Sequence, residues 1–214
     1  MRRTSDRHVA FGKYGGRGVY GAGLRLDIGA DGIAELGHGL LVTSVVRKLA
    51  DAMVIAVYAS ISKELGIPFR FPGKAGAYTS LIEMTDLGLL AEATVWAATN
   101  PEGQNQAFNI TNGDMFRWSS MRPKIAEFFD LDVAPPLPMS LSDVMADKSD
   151  LWDAMVAKHA LAKTPYSKVS SWQFGDFVFA WDYDVIADTS KSRRASFNAY
   201  VESEEMFLRI FQNL

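Results

Sequence analysis

Glycine and proline are distributed unevenly along this chain of 214 residues, and their distribution restricts where the chain can fold. Ten of the 17 glycines lie in residues 1–40, whereas all eight prolines lie at Pro68 or beyond it. Glycine loses more backbone entropy on folding than any other residue, so a glycine-rich segment is costly to order. We therefore expect residues 1–40 to be loop-like or disordered and residues 41–214 to form the folded part.

The folded part carries the patterns of helices mixed with short strands. Apolar residues recur every three or four positions from Leu41 onward, which predicts a helix that ends near Gly66. Thr85 or Asp86 is a suitable N-cap for a second helix. Further helices are expected at 118–129, with irregular first turns caused by Pro123, within 140–162 and at 202–211, and short strands at 68–72 and 106–110. This mixture is typical of an α/β or α+β fold.

The composition excludes several classes of protein. The net charge is -3, whereas nucleic-acid-binding domains are usually basic, so we expect no nucleic-acid partner. The chain has no cysteine, which excludes disulfides, thiolate metal sites and cysteine nucleophiles. Its three histidines, His8, His38 and His159, are too scattered to suggest a metal site. No apolar stretch is long enough to span a bilayer, so we expect no membrane partner and a cytoplasmic location.

Three local patterns admit a functional interpretation and a plainer one. Residues Gly16–Gly21 satisfy G-x-G-x-x-G, but the glycine-rich segment after them is unsuited to the helix that a dinucleotide site needs. A chance match is therefore favoured over a cofactor loop in a complete small enzyme. The aromatic residues between Trp172 and Trp181 could line a pocket for a flat hydrophobic substrate, although their spacing favours the core. The third pattern consists of Asp182, Asp184 and Asp188. These residues could form a metal site or an acid–base cluster, but a solvated loop is favoured.

The most distinctive stretch of the sequence is Phe108-Asn109-Ile110-Thr111-Asn112-Gly113-Asp114, followed by Phe116 and Trp118. Other distinctive stretches are residues 56–64, 68–73, 85–92 and 96–98, the run Trp172-x-Phe174-Gly175-Asp176, and residues 188–194. Together they resemble the progesterone 5β-reductase/iridoid synthase-like (PRISE-like) group of the short-chain dehydrogenase/reductase superfamily, especially its bacterial members. The resemblance covers about Val54 to Leu214, which corresponds to the C-terminal, substrate-side part of such an enzyme.

The resemblance implies a fold, a reaction and two site residues. The fold implied is α/β, a partial extended Rossmann-like, NAD(P)-binding fold, mainly its C-terminal substrate-side helices and short strands. Members of the group are oxidoreductases that use NADPH to reduce the activated C=C bonds of enones and enals, which implies a small hydrophobic carbonyl substrate. In the group, the aromatic residue at the position of Phe174 lines the substrate pocket. Tyr78 stands where relatives often carry Trp, also on the substrate side.

The sequence departs from the group at the positions that would hold the cofactor and perform the chemistry. Residues 1–53 are unlike the nucleotide-binding half, and no tyrosine is followed by lysine four residues later. The group's Tyr-x-x-x-Lys pair is thus absent, and we assign no catalytic, cofactor-binding or metal-binding residue. We expect a truncated or frame-disrupted reductase that binds no NADPH and is not competent alone. The alternative is a non-catalytic module that binds a hydrophobic ligand or another subunit, or self-associates through exposed apolar surface.

Overall fold

Residues 24–27, 40–103 and 106–213 are described by the computed structural model, with side chains from Ala52 onward. Strand β1, Leu24–Asp27, lies within the segment expected to be loop-like. Its two alternating leucines stand among glycines, and pairing with a distant strand, which no local pattern reveals, stabilises it. The other positions of residues 1–39, including Gly16–Gly21, lie outside the described residues.

The described residues form an α/β fold that consists mostly of helices, and each helix predicted above is present. A 3₁₀ turn, Pro101–Gly103, follows the third helix. The helices are α1 (Leu40–Glu64), α2 (Ala75–Thr79), α3 (Leu87–Thr99), α4 (Trp118–Phe128), α5 (Leu141–Val144), α6 (Ser149–His159), α7 (Tyr166–Val169), α8 (Trp172–Val178), α9 (Ser190–Arg194) and α10 (Ser203–Gln212).

Helix α1 is the central element of the main core. Apart from Met53 and Ser60, every side chain from 52 to 62 is buried. A helix that is apolar all round must be covered all round, and α6, α8 and α10 each pack against this one. The helix ends as predicted, because Gly66 adopts a φ of 65° and the N–H of Ile67 returns to the carbonyl of Ser62 at 3.0 Å.

Helix α4 corrects one prediction, because it is helical from Trp118 through Pro123 and beyond. A proline removes only its own N–H donor, and the first turn is closed by Met121 N, which donates to the Arg117 carbonyl at 3.0 Å. Trp118, Met121 and Ile125 are buried on one face of the helix. Burial of this face stabilises the helix enough to accommodate the proline.

Strand β2, Ala107–Ile110, confirms the predicted strand and pairs with β1. The pairing is antiparallel, with Leu24 opposite Ile110. Phe108 and Ile110 are almost fully buried in a smaller core between this sheet and α3. The two strands are antiparallel, so the parallel sheet of a Rossmann-like fold is not observed in the described ranges.

The prediction of a strand at residues 68–72 is wrong. The segment is extended, but it makes only an isolated bridge, between Phe69 and Val133. It lies beside the proline-rich connector at 132–139, where Phe69 N donates to the Asp132 carbonyl at 2.8 Å. Prolines occur on both sides of this pairing and lack an N–H, so a continuous ladder cannot form. The paired segments nevertheless fix the chain immediately before α2.

Candidate substrate-binding face

The most distinctive stretch of the sequence builds the scaffold. The side chain of Asn112 is completely buried, and its amide joins three elements of the fold. Its Oδ1 accepts a hydrogen bond from the backbone N–H of Asp86. Its Nδ2 donates to Ser203 Oγ at 3.1 Å and to Met206 Sδ at 3.5 Å. We call these contacts the Asn112 node, and they tie β2 to the starts of α3 and α10.

Two carboxylates complete the Asn112 node by capping those helices. Asp86 accepts hydrogen bonds from the backbone N–H groups of Gly88 and Leu89 at 2.8 and 3.1 Å, which confirms the predicted N-cap. Asp114 accepts from the backbone N–H and the hydroxyl of Ser203 at 2.8 and 2.7 Å. The first N–H groups of a helix lack partners within it, so each carboxylate stabilises its helix.

In α8, the residues of the family-like run Trp172-x-Phe174-Gly175-Asp176 are divided between the core and the surface. Trp172 is buried in the main core. Gly175 permits a close approach of helices, because a Cβ atom there would lie 2.7 Å from Val54 Cγ1. The carboxylate of Asp176 accepts from the backbone N–H of Leu141 at 2.6 Å and from that of the following residue at 3.0 Å. These three residues of the run hold α8 against α1 and α5.

Phe174 is the member of the run that lies outside the main core. Its side chain is half-buried, and its ring centroid lies 6.3 Å from that of Phe177. The ring of Phe177 is 51% exposed and lies 5.3 Å from that of Trp181. We call these three rings the aromatic face. Accessible aromatic rings of this kind suit contact with a flat hydrophobic ligand.

Tyr78, the other predicted substrate-side residue, lies on the short helix α2. Its side chain is half-buried against the main core. Its ring centroid is 5.2 Å from that of Phe71, and the guanidinium carbon of Arg122 lies 4.9 Å from the same centroid. Tyr78 is therefore held between an aromatic ring and a cation.

Phe179 belongs to the surroundings of Tyr78. It follows α8 directly, and its ring centroid lies 5.3 Å from that of Phe71 in an edge-on arrangement. The rings that contact Tyr78 and Phe174 differ, since one packs on Phe71 and the other on Phe177. The two predicted residues therefore belong to different sets of ring contacts, one reached from α2 and one from α8.

A cavity of about 380 Å³ opens beside Phe179, within the size range of about 300–1,000 Å³ typical of small-molecule sites. Its polar side chains already have partners. Ser140 Oγ donates to Asp176 Oδ2 at 3.2 Å, and Lys74 Nζ lies 3.5 Å from Asp182 Oδ2. The residues that line the cavity are Pro72, Gly73, Lys74, Pro138, Met139, Ser140, Asp176, Phe179 and Ala180. Apart from Lys74, Ser140 and Asp176, none of them has a polar side chain.

The acidic residues after Trp181 serve three separate contacts. Asp182 pairs with Lys74, and Asp184 Oδ1 accepts from the backbone N–H of Leu81 at 2.8 Å. Asp188 Oδ1 accepts from Ser190 N at 2.8 Å, and hydrogen bonds from the side chain and then the backbone of Ser190 lower the pKa of Asp188. In the described ranges, no group of three or more His, Asp or Glu residues is arranged to hold a metal ion.

The first turns of α3, α6 and α10 do not suit the pyrophosphate of NADPH. A dinucleotide site places phosphates against free N–H groups at a helix N-terminus, close to glycines. Helix α3 has Asp86 as its N-cap, α6 carries Asp150 in its first turn, and α10 carries Glu204 and Glu205 in its first turn. These carboxylates repel phosphate. The carboxylates of Asp86 and Asp114 also occupy N–H groups at the starts of α3 and α10.

The two tyrosines with shifted pKa values are unsuited to proton donation. Burial raises the pKa of Tyr58, and burial is also the largest cause of the raised pKa of Tyr166. The hydroxyl of Tyr166 donates to the carbonyl of Met145 at 2.6 Å. A tyrosine that donates a proton near neutral pH needs a lowered pKa, so neither residue replaces the missing Tyr-x-x-x-Lys pair.

No protein-family model matches the chain. Curated relatives include the (S)-8-oxocitronellyl enol synthases of Nepeta racemosa and Antirrhinum majus, 36% and 34% identical over 157 residues each. Another is the 3-oxo-Delta(4,5)-steroid 5-beta-reductase of Arabidopsis thaliana, 30% identical over 157 residues. Each alignment covers 72% of this chain.

These similarities confirm the resemblance to the progesterone 5β-reductase/iridoid synthase-like group of the short-chain dehydrogenase/reductase superfamily. Over the matched residues, the chain is a relative of that group. The chain spans about 40% of the length of the curated relatives it matches, 39% for the Nepeta racemosa protein and 40% for the other two named. Among the helices described, none combines the length and apolarity needed to cross a bilayer.

Proposed function

We propose that residues 54–214 form the substrate side of a short-chain reductase that acts on the activated C=C bond of an enone or enal. The names of the relatives support this proposal, because one is a 3-oxo-Delta(4,5)-steroid reductase. The observation that carries it is the division within α8. Trp172, Gly175 and Asp176 hold the scaffold, and the half-buried ring of Phe174 packs beside the exposed ring of Phe177.

In this proposal the chain binds and orients the substrate, and the resembled fold is the C-terminal part of an extended Rossmann-like enzyme. NADPH supplies the hydride in that group. The first turns of α3, α6 and α10 do not suit the pyrophosphate of NADPH, so we derive no hydride-transfer step for the described residues. We therefore propose that the chain alone neither holds the cofactor nor reduces the substrate. Its contribution is an apolar surface that takes up the flat ring system of a small hydrophobic carbonyl compound.

The proposal is tested by titrating the purified chain with a 3-oxo-Δ4-steroid while the tryptophan fluorescence is recorded. Trp181 belongs to the aromatic face, so saturable quenching is expected on binding. Phe174→Ala should weaken binding. Phe128→Ala, which removes a partly exposed ring on α4, is the matched control and should leave binding unchanged. Absence of saturable quenching in the unaltered chain, or equal effects of both substitutions, would count against the proposal.

The exposed ring of Phe177 also favours a second candidate function, a non-catalytic module that docks a hydrophobic ligand or another subunit. In that case the aromatic face mediates association. Light scattering should then show a mass that rises with concentration, and Phe177→Ser should abolish the rise. A monomer at all concentrations would contradict the subunit-docking form of this candidate and leave substrate binding as the simpler account.

A further inference from the structure

Arg122 is a buried cation whose environment lacks the usual anionic partner. Its residue is 6% exposed, and no carboxylate in the described ranges forms an ion pair with it. Its Nη1 donates to the backbone carbonyl of Ala134 at 2.5 Å, while its Nε is buried without a hydrogen-bond partner. Burial of a charge is unfavourable unless other contacts compensate, so this position requires an explanation.

The main compensating contact is the ring of Tyr78. The guanidinium carbon of Arg122 lies 4.9 Å from the centroid of that ring, within the range of a cation–π interaction. Such an interaction is stronger where water is excluded, and Arg122 is almost fully excluded from water. The contact therefore fixes the position of the tyrosine ring as well as that of the cation.

Helix α2, which carries Tyr78, depends on such outside contacts. It has five residues, and its N-cap position, Lys74, makes no side-chain capping hydrogen bond. A helix of this length is unstable by itself. Helix α4 contacts it through two arginines, because Arg117 donates to the carbonyl of Thr79 and Arg122 stacks on Tyr78. The orientation of Tyr78 is thus fixed by Arg122 of α4 together with the ring of Phe71.

We propose that Arg122 is a positioning residue that holds the Tyr78 ring at the substrate side and thereby sets a preference for flat, unsaturated ligands. This inference rests on the proposed function. A fixed ring discriminates by shape, since a flat 3-oxo-Δ4-steroid can lie against it and a bent 5β-reduced steroid cannot. A mobile ring adapts to both ligands and loses the preference.

The test compares the affinities of both steroids for the chain and for Arg122→Met and Arg122→Lys. We expect Arg122→Met to lower the ratio of the two affinities about fivefold, and Arg122→Lys, which keeps the charge, to retain part of the preference. In a Tyr78→Leu background, Arg122→Met should have no further effect on the ratio. An unchanged ratio, or an equal loss in both backgrounds, would overturn the inference.

A second measurement separates this inference from the proposed function. The chain is labelled with 3-fluorotyrosine, and the Tyr78 signal is assigned by its absence in Tyr78→Phe. In ¹⁹F NMR without any ligand, Arg122→Met should shift and narrow this signal as the ring gains freedom. Apart from Tyr58, which lines the same small cavity as Arg122, the other tyrosine signals should stay in place. A signal that does not move contradicts positioning. If the signal moves but no steroid binds, the proposed function fails and the positioning role stands.

If Arg122→Met does not fold, the same comparison is made with Tyr78→Phe and Tyr78→Leu, which leave the arginine intact. Phenylalanine keeps the aromatic face under the guanidinium, and leucine removes it. The ratio of affinities should therefore survive in the first variant and fall about fivefold in the second. Equal ratios in the two variants would overturn the inference.

Discussion

Two of the stretches that resemble the family use their residues in different ways. Around Asn112, the amide and the two nearby carboxylates are buried or engaged with backbone, and they tie β2 to two helices. In α8, three residues of the run contact the scaffold, and the half-buried ring of Phe174 lies beside the exposed Phe177. A family-like motif is therefore not in itself a site. The contacts of its side chains separate the residues that build the fold from those available to a ligand.

The largest effect is expected at the Asn112 node. Asn112→Ala removes the acceptor of Asp86 N and the donor to Ser203, and leaves buried polar groups without partners. We expect the free energy of unfolding to fall by about 3 kcal/mol, measured by urea denaturation. The control, Asn109→Ala, removes a hydrogen bond at the surface, to the carbonyl of Asp188, and should cost less than about 1 kcal/mol. Equal losses would show that no special node exists.

The next prediction compares two glycines. Gly175 is needed because a side chain would not fit there, and Gly66 is needed because its backbone has a positive φ. Gly175→Ala places a methyl group 2.7 Å from Val54 Cγ1, and the overpacking should lower the free energy of unfolding by about 2 kcal/mol. Gly66→Ala meets no atom within 4 Å but must keep a φ of 65°, which should cost about 1 kcal/mol. Thermal or urea unfolding would check both values. A larger loss for Gly66→Ala would contradict the close packing of α8 on α1.

Phe174→Ala should differ from the scaffold substitutions, because it should lower the affinity for the ligand more than the stability of the fold. The side chain lies outside the main core, so we expect a loss of less than about 1 kcal/mol in the free energy of unfolding. The affinity for a 3-oxo-Δ4-steroid should fall about tenfold, equivalent to about 1.4 kcal/mol. Fluorescence titration and urea denaturation of the same preparation give both values. A large loss of stability with unchanged affinity would place Phe174 in the scaffold.

The smallest effect concerns an exposed contact between α1 and α6. Glu64 accepts a hydrogen bond from Lys158 Nζ at 2.8 Å and lies 3.2 Å from His159 Nε2. The hydrogen bond from Lys158, followed by that from His159, lowers the pKa of Glu64. A lowered pKa means that the folded state favours the carboxylate. The resulting stabilisation is present above the ordinary glutamate pKa of about 4.3 and is lost as the pH falls through the lowered value.

The measurement is the difference in urea midpoint between the unaltered chain and Glu64→Gln at several pH values. We expect a small difference at pH 7 that disappears in acid. Because the side chain of Glu64 is engaged in an exposed contact with α6, the variant should leave steroid affinity unchanged. A difference that grows as the pH falls would have the wrong sign and would contradict the contact.

The sequence predicted the elements whose signals are local. The helix ending at Gly66 and the N-cap at Asp86 both follow from the residues themselves. Strand β1 was missed, because it depends on pairing with residues that lie at least 80 positions away. The strand expected at 68–72 does not form, because prolines in both paired segments interrupt the ladder of backbone hydrogen bonds. The effect of Pro123 was overestimated, since burial of α4 outweighs one lost hydrogen bond.

For the site, the sequence named Phe174 and Tyr78 through resemblance, and their roles remain predictions. It gave no sign of Arg122, because an arginine in a helical pattern is normally solvated and nothing local reveals the ring beneath it. The Asn112 node was visible as a motif, but its structural role emerges only when β2, α3 and α10 come together. Long-range contacts therefore account for most of what the sequence could not predict.

We propose that residues 54–214 provide the substrate side of a reductase and do not hold its cofactor by themselves. Calorimetric titration of the purified chain with NADPH, in the presence of a 3-oxo-Δ4-steroid, is the most direct test. We expect no saturable heat of NADPH binding up to about 1 mM, the upper end of ordinary enzyme substrate affinities. A saturable, micromolar binding isotherm with one NADPH per chain would contradict it.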